Sequence, residues 1–74
     1  MSSPTEAIRE QLMANNPEYQ RLRQEHTGYA AQLEQLATKH YLTENEKIEE
    51  VRLKKLKLRV KDQMEILVHK ARVV

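Results

Sequence analysis

Hydrophobic residues recur at alternating steps of three and four along the second half of the chain. In chain order, the recurring positions are Leu53, Leu56, Val60, Met64, Leu67, Ala71 and Val74. At about 100° per residue, these positions stay on one side of an α-helix. Neither Pro nor Gly follows Thr43, so nothing in the sequence interrupts the run. The pattern predicts one long helix over residues 44–72.

The ends of this predicted helix carry the residues that helix ends favour. Thr43 and Glu46 have the spacing of a capping box, in which the hydroxyl and the carboxylate each accept a hydrogen bond from the other residue's backbone N–H. Glu44 adds negative charge to the first turn, and Lys70 and Arg72 add positive charge to the last turn. Both placements oppose the partial charges of the helix dipole.

A second hydrophobic stripe runs through the first half of the chain. Its positions are Tyr19, Leu22, His26, Tyr29, Leu33, Leu36 and His40. Steps of three and four over about three heptads are typical of a coiled-coil seam. Gly28 lies inside this segment and is expected to cost the helix about 1 kcal/mol relative to Ala.

Two prolines mark possible helix starts or breaks in the segment before this second stripe. Ser3 is a candidate N-cap with Pro4 at the first helical position, and residues 1–3 are expected to be disordered. Because the residue before a proline disfavours helical backbone, Asn16 is either a new N-cap or the site of a kink next to Pro17. We therefore predict a first arm over residues 5–38 with a break near 15–17, followed by a turn over 39–43.

Two helices joined by a short connection pack antiparallel. The chain is thus predicted to be all-α, a single antiparallel two-helix hairpin over residues 1–74. One register matches the two stripes along their whole length: Tyr29 with Leu53, His26 with Leu56, Leu22 with Val60, Tyr19 with Met64, Leu12 with Ala71 and Ile8 with Val74. The same register places Glu25 beside Arg59 and predicts an exposed ion pair between them.

Two motifs resemble a known family. They are Asn16-Pro17-Glu18-Tyr19 with Leu22 and His26, and the later pair Leu42-Thr43 with the run Lys54-Lys55-Leu56-Lys57-Leu58-Arg59-Val60-Lys61-Asp62. Together they are similar to the YdcH-like family of small bacterial proteins, a family of unknown function, over roughly residues 8–68. The resemblance implies a bacterial cytoplasmic helical hairpin and supplies no activity. Leu56 and Tyr29 depart from the family pattern, which affects packing along the seam.

Composition narrows the function classes. The 74-residue chain has no Cys, so it has no disulfide and no thiolate chemistry. Its net charge of +2 is too small to indicate a class of partner. Without a signal peptide or a long apolar run, we expect a cytoplasmic protein that makes no membrane contact. His26, His40 and His69 fall at distant points of the predicted hairpin. We therefore expect no metal site and no cofactor.

An enzyme is not expected. Glu44, Glu46, Glu49 and Glu50 are explained by the start of a helix, where negative charge is stabilising. A two-helix hairpin offers no deep pocket for a small-molecule substrate, and the sequence contains no nucleophile–base pair.

Two surfaces of the second helix are candidate binding sites. Val51 and Leu58 lie one heptad apart, almost opposite the hydrophobic stripe, and predict contact with a partner helix. This favours a non-enzymatic interaction or structural module that acts through helix–helix contacts, with self-association as one form. The alternative is an accessory binder of nucleic acid or of an acidic surface. It would use the flank formed by Arg23, Lys54, Lys57 and Lys61.

Overall fold

A computed structural model describes residues 4–73 of the chain. It contains three α-helices: α1 over Pro4–Asn15, α2 over Pro17–Ala37 and α3 over Glu44–Val73. No strand occurs among the described residues. The all-α class is therefore confirmed. The expected disorder of residues 1–3, the Ser3 cap and the place of Val74 at the end of the stripe lie outside the described residues.

The prediction of two helices is corrected, because the first arm is two separate helices. Asn16 stands between them in an extended conformation, with φ −111° and ψ 107°. Its side-chain Oδ1 accepts a hydrogen bond from the Tyr19 backbone N–H at 3.0 Å, so Asn16 is the N-cap of α2. Pro17 takes the first helical position, where its missing N–H costs nothing. These two residues end α1 and start α2.

The predicted start of α3 is confirmed. The Thr43 backbone N–H donates to Glu46 Oε1 at 2.9 Å, and the Glu46 backbone N–H donates to Thr43 Oγ1 at 3.1 Å. Lys39, in the loop after α2, also donates to the Glu46 carboxylate. These bonds fix the connection over residues 38–43, which brings α3 back alongside α2.

The core is small and lies where the three helices meet. Tyr19 and Leu22 of α2 form one buried cluster with Val60, Met64 and Val68 of α3. The early part of α2 thus packs on the late part of α3, so these two helices run in opposite directions. Tyr19, Leu22, Val60 and Met64 share this cluster, as the predicted register requires.

The register predicted for the first segment is wrong. It placed Arg9 level with the last residues of α3, yet Arg9 Nη2 lies 2.7 Å from Glu65 Oε1. Because the chain breaks at Asn16, α1 changes direction there, and Ile8 and Leu12 pack against the core cluster. Ala71, the predicted partner of Leu12, is exposed.

The molecule is elongated, with extents of 47 × 23 × 18 Å. Its longest dimension is close to the length of α3, since 30 residues at 1.5 Å each span about 45 Å. None of the described helices combines the length and the apolar character that crossing a membrane requires. α3 is thus the axis on which the other two helices pack.

Candidate functional site

The four residues of the predicted anionic-partner flank lie together on the surface. Helical spacing puts Lys54, Lys57 and Lys61 on one side of α3, at steps of three and four. Arg23 of α2 faces the same side, and all four line one cleft of about 600 Å³. We call it the basic cleft. Its other lining residues include Arg9, His26, Leu33, Leu58, Met64 and Glu65.

The cations of the basic cleft differ in whether they have an anionic neighbour. Arg9 pairs with Glu65 at 2.7 Å, and Lys54 Nζ lies 3.8 Å from Glu50 Oε1. Within residues 4–73, Arg23, Lys57 and Lys61 take part in no ion pair. The cleft therefore presents three positive charges that form no ion pair with a carboxylate of residues 4–73.

His26 lies half-buried beside these cations. Its pKa is lowered, first because burial removes water from the charged ring and then because Lys57, Arg23 and Lys61 repel a further positive charge. The neutral imidazole is thus favoured. His26 thus lies in the cleft at the point where the side chains of Arg23, Lys57 and Lys61 come together.

The predicted partner face is exposed. Val51 and Leu58 expose 51% and 59% of their surface, and Ile48 and Ile66, on an adjacent side of α3, expose 66% and 53%. Leu58 also lines the basic cleft. The two surfaces predicted from the sequence therefore meet at Leu58.

The glutamates at the start of α3 have structural contacts. The pKa of Glu46 is lowered to about 2, chiefly by the hydrogen bond from Lys39 and then by the backbone N–H of Thr43. Glu49 accepts from Arg52 at 2.6 Å, which lowers the pKa of its carboxyl. These contacts hold the loop and the first turns of α3.

The histidines occupy separate regions. His26 is in α2, His40 is exposed in the loop, and His69 is exposed near the end of α3. Among residues 4–73, no group of three or more His, Cys, Asp or Glu side chains could hold a metal ion.

Sequence reasoning missed Arg9 and His26, among other lining residues of the site, and placed one contact wrongly. Arg9 was missed because the change of direction between α1 and α2 at Asn16 is not visible in hydrophobic spacing. His26 was assigned only to the seam, although its position beside Arg23 and Lys57 in the predicted register was an available signal. The ion pair predicted between Glu25 and Arg59 does not form, and both side chains are exposed.

The geometry defines a small all-α domain with a shallow, positively charged surface cleft. The chain matches the family described as proteins of unknown function (DUF465) over residues 20–67. Since this match covers more than half of the chain, the protein belongs to that family, in agreement with the resemblance to the YdcH-like proteins. No curated protein and no solved structure matches the chain.

Proposed function

We propose that this protein is a non-enzymatic interaction module that binds a partner through helix–helix contacts on α3. The observation that carries the proposal is the set of large apolar side chains that α3 leaves exposed: Ile48, Val51, Leu58 and Ile66. Scattered apolar residues are normal on a surface. Here, however, one helix exposes four of them, while only six side chains of the described part of the chain are buried.

The size of the domain supports this proposal. A chain below about 80 residues gains only about 3–5 kcal/mol from a single core, and such chains often gain further stability by association. Burying a Val or Leu side chain contributes about 1.5–3 kcal/mol. Contact with a partner helix through Val51 and Leu58 would add apolar burial that the three helices alone do not provide.

Site-specific photo-crosslinking in the organism that makes the protein tests the proposal. A photoreactive phenylalanine derivative replaces Val51 in one variant and Ala31, an exposed residue of α2, in a matched control. We expect a protein adduct from position 51 that is absent from position 31. An adduct of twice the chain mass identifies a second copy as the partner. Equal crosslinking from both positions, or none from position 51, contradicts the proposal.

Nucleic-acid binding is a second candidate function, favoured by the convergence of Arg23, Lys57 and Lys61 in one cleft. Contacts from three cations to single-stranded phosphates predict that log K falls with log salt with a slope of about −2. Titration of a single-stranded oligonucleotide at several salt concentrations measures this slope. Absence of binding at low salt removes this candidate.

A further inference from the structure

Two of the unpaired cations of the basic cleft, Lys57 and Lys61, have a fixed spacing along α3. Lys57 and Lys61 are one helical turn apart, so their backbones are separated by about 6 Å along the axis. Arg23 faces them from α2, and Lys57 is partly buried. Because like charges at this distance repel, a ligand that places anionic groups between them relieves the repulsion as well as gaining direct attraction. The cleft therefore favours an anionic ligand with several charges.

The same cleft has apolar walls. Leu58 stands at its edge with 59% of its surface exposed, Leu33 is half-buried in its α2 wall, and Met64 is buried in its lining. A ligand that covers Leu58 and Leu33 needs apolar groups beside its anionic groups. Carboxylates and aliphatic side chains on one face of a helix have this combination.

Nucleic acid matches the cleft less well, because its bases usually stack on exposed aromatic rings. The tyrosine in the cleft, Tyr19, exposes only 4% of its surface. Tyr29 is half-buried, and the exposed Tyr41 lies in the loop before α3. Within the described chain, the cleft thus offers phosphate-binding cations without an open aromatic surface.

The length of the cleft suits a short helix. From Lys54 to Glu65 it follows α3 for about 16 Å, which equals about three helical turns. One end is bounded by the Arg9–Glu65 ion pair, which ties α1 to α3. A helix lying between α2 and α3 would pack along both, as helices do in a bundle.

We propose that the basic cleft binds an acidic amphipathic helix of another protein. Its carboxylates would meet Arg23, Lys57 and Lys61, and its apolar stripe would cover Leu58 and Leu33. This inference rests on the proposed function as a helix-binding module and adds the chemical class of the partner. Carboxylates spaced by three or four residues match the spacing of Lys57 and Lys61.

Fluorescence anisotropy with designed peptides tests the proposal on the full chain. The probe is a fluorescein-labelled helical peptide of about five turns, with a leucine stripe flanked by glutamates at steps of three and four. The control peptide has the same composition in an order that forms no stripe. We expect saturable binding of the probe at about 0.15 M salt and binding of the control peptide at least about tenfold weaker.

Charge-reversal variants locate the site. Lys57→Glu and Lys61→Glu should each weaken binding of the probe about tenfold or more. Lys55→Glu makes the same charge change on an exposed residue of α3 outside the cleft and should change affinity less than about threefold. Circular dichroism confirms that each variant is folded. Lys61 is exposed, so its variant keeps the test valid even where Lys57→Glu disturbs folding.

An apolar pair completes the design. Leu58→Ser should weaken binding of the probe about tenfold, whereas Met13→Ser, at an exposed apolar residue of α1 outside the cleft, should leave it unchanged. Equal affinity for the two peptides, or equal effects of Lys55→Glu and Lys61→Glu, overturns the proposal.

Two other occupants give recognisable results. The first is a fluorescein-labelled single-stranded oligonucleotide. If it binds more tightly than the probe and Lys61→Glu abolishes this binding, the cleft is assigned to nucleic acid and the proposal is overturned. Self-association of the wild-type protein that Lys61→Glu abolishes, measured by analytical ultracentrifugation, assigns the cleft to a second copy, with the same consequence. Crosslinking at position 51 does not depend on these outcomes, because Val51 does not line the cleft. Failure of this inference is therefore distinguishable from failure of the proposed function.

Discussion

Leu22 and Leu58 show how differently two leucines of this chain contribute to the molecule. Leu22 exposes 2% of its surface and packs with Tyr19, Val60, Met64 and Val68, whereas Leu58 exposes 59%. Truncation of a buried leucine loses its transfer free energy and leaves a cavity. Truncation of an exposed leucine does neither.

Leu22→Ala is therefore expected to destabilise the fold by about 2–5 kcal/mol. This loss is similar to the whole net stability of about 3–5 kcal/mol that a core of this size gives. Thermal unfolding followed by circular dichroism should show no cooperative transition for Leu22→Ala. Leu58→Ala, the matched control, should stay within about 0.5 kcal/mol of wild type. A well-folded Leu22→Ala variant would contradict the core assignment.

The ionisation of Glu46 makes the stability of the fold depend on pH. Its pKa falls from the ordinary 4.5 to about 2 in the folded state, because Lys39 and the Thr43 backbone N–H donate to the carboxylate. A lowered folded pKa means that ionised Glu46 stabilises the fold above pH 4.5. This contribution is lost as the pH falls from about 4.5 to about 2.

Glu46→Gln should accordingly lower the Tm at pH 6, and its difference from wild type should shrink as the pH approaches 2. Glu44→Gln is the control, since it removes a charge from the same helix end without breaking either capping hydrogen bond. Melting curves between pH 2 and pH 7 check the expectation. A difference from wild type that does not vary with pH would exclude ionisation of Glu46 as its cause.

At the scale of elements, local sequence signals predicted α3 and an interruption near Pro17, but they did not decide between a new N-cap and a kink at Asn16. The Thr43–Glu46 box and the unbroken stripe suffice for α3, because capping and periodicity depend only on neighbours along the chain. The direction of α1 is different. It depends on the two backbone angles of Asn16, which no hydrophobic spacing encodes. Val68 was also missing from the predicted stripe, and Ile8 and Leu12 of α1 pack against the cluster in which it is buried.

Gly28 offers a test within α2. It is helical and exposed, and a Cβ added there would meet no atom within 4 Å. Gly28→Ala should thus stabilise the protein by about 1 kcal/mol, because alanine has the higher helix propensity and nothing obstructs its methyl group. Ala31→Gly, at an exposed position of the same helix, should destabilise by a similar amount. Chemical denaturation measures both changes. Destabilisation by Gly28→Ala would indicate that this side of α2 is covered.

At the scale of the whole molecule, the candidate site depends on how the helices pack. The flank of Arg23, Lys54, Lys57 and Lys61 was predictable, because helical periodicity and the antiparallel register place these residues on one side. The cleft they line was not predictable. Its end is formed by Arg9 and Glu65, which meet because α1 changes direction at Asn16.

The exposed apolar residues of α3 lead to a prediction about assembly. Val51 and Leu58 together would contribute about 3–6 kcal/mol if a second copy buried them fully, since each side chain is worth about 1.5–3 kcal/mol. Association also loses translational and rotational freedom, so this gain supports a weak dimer. If a second copy is the partner of Val51 and Leu58, the average mass of wild-type protein in analytical ultracentrifugation should rise with concentration. Leu58→Lys should remain monomeric and helical, because Leu58 lies outside the buried core.

Gln63→Lys is the control for this assembly experiment, since it adds the same charge at another exposed position of α3 and should leave the association unchanged. A wild-type chain that stays monomeric at high concentration excludes a second copy as the partner and leaves a helix of another protein. A Leu58→Lys variant that loses its helical signal would show that Leu58 supports the fold. If Gln63→Lys also loses association, the added charge, and not the loss of the apolar contact of Leu58, is what prevents the dimer from forming.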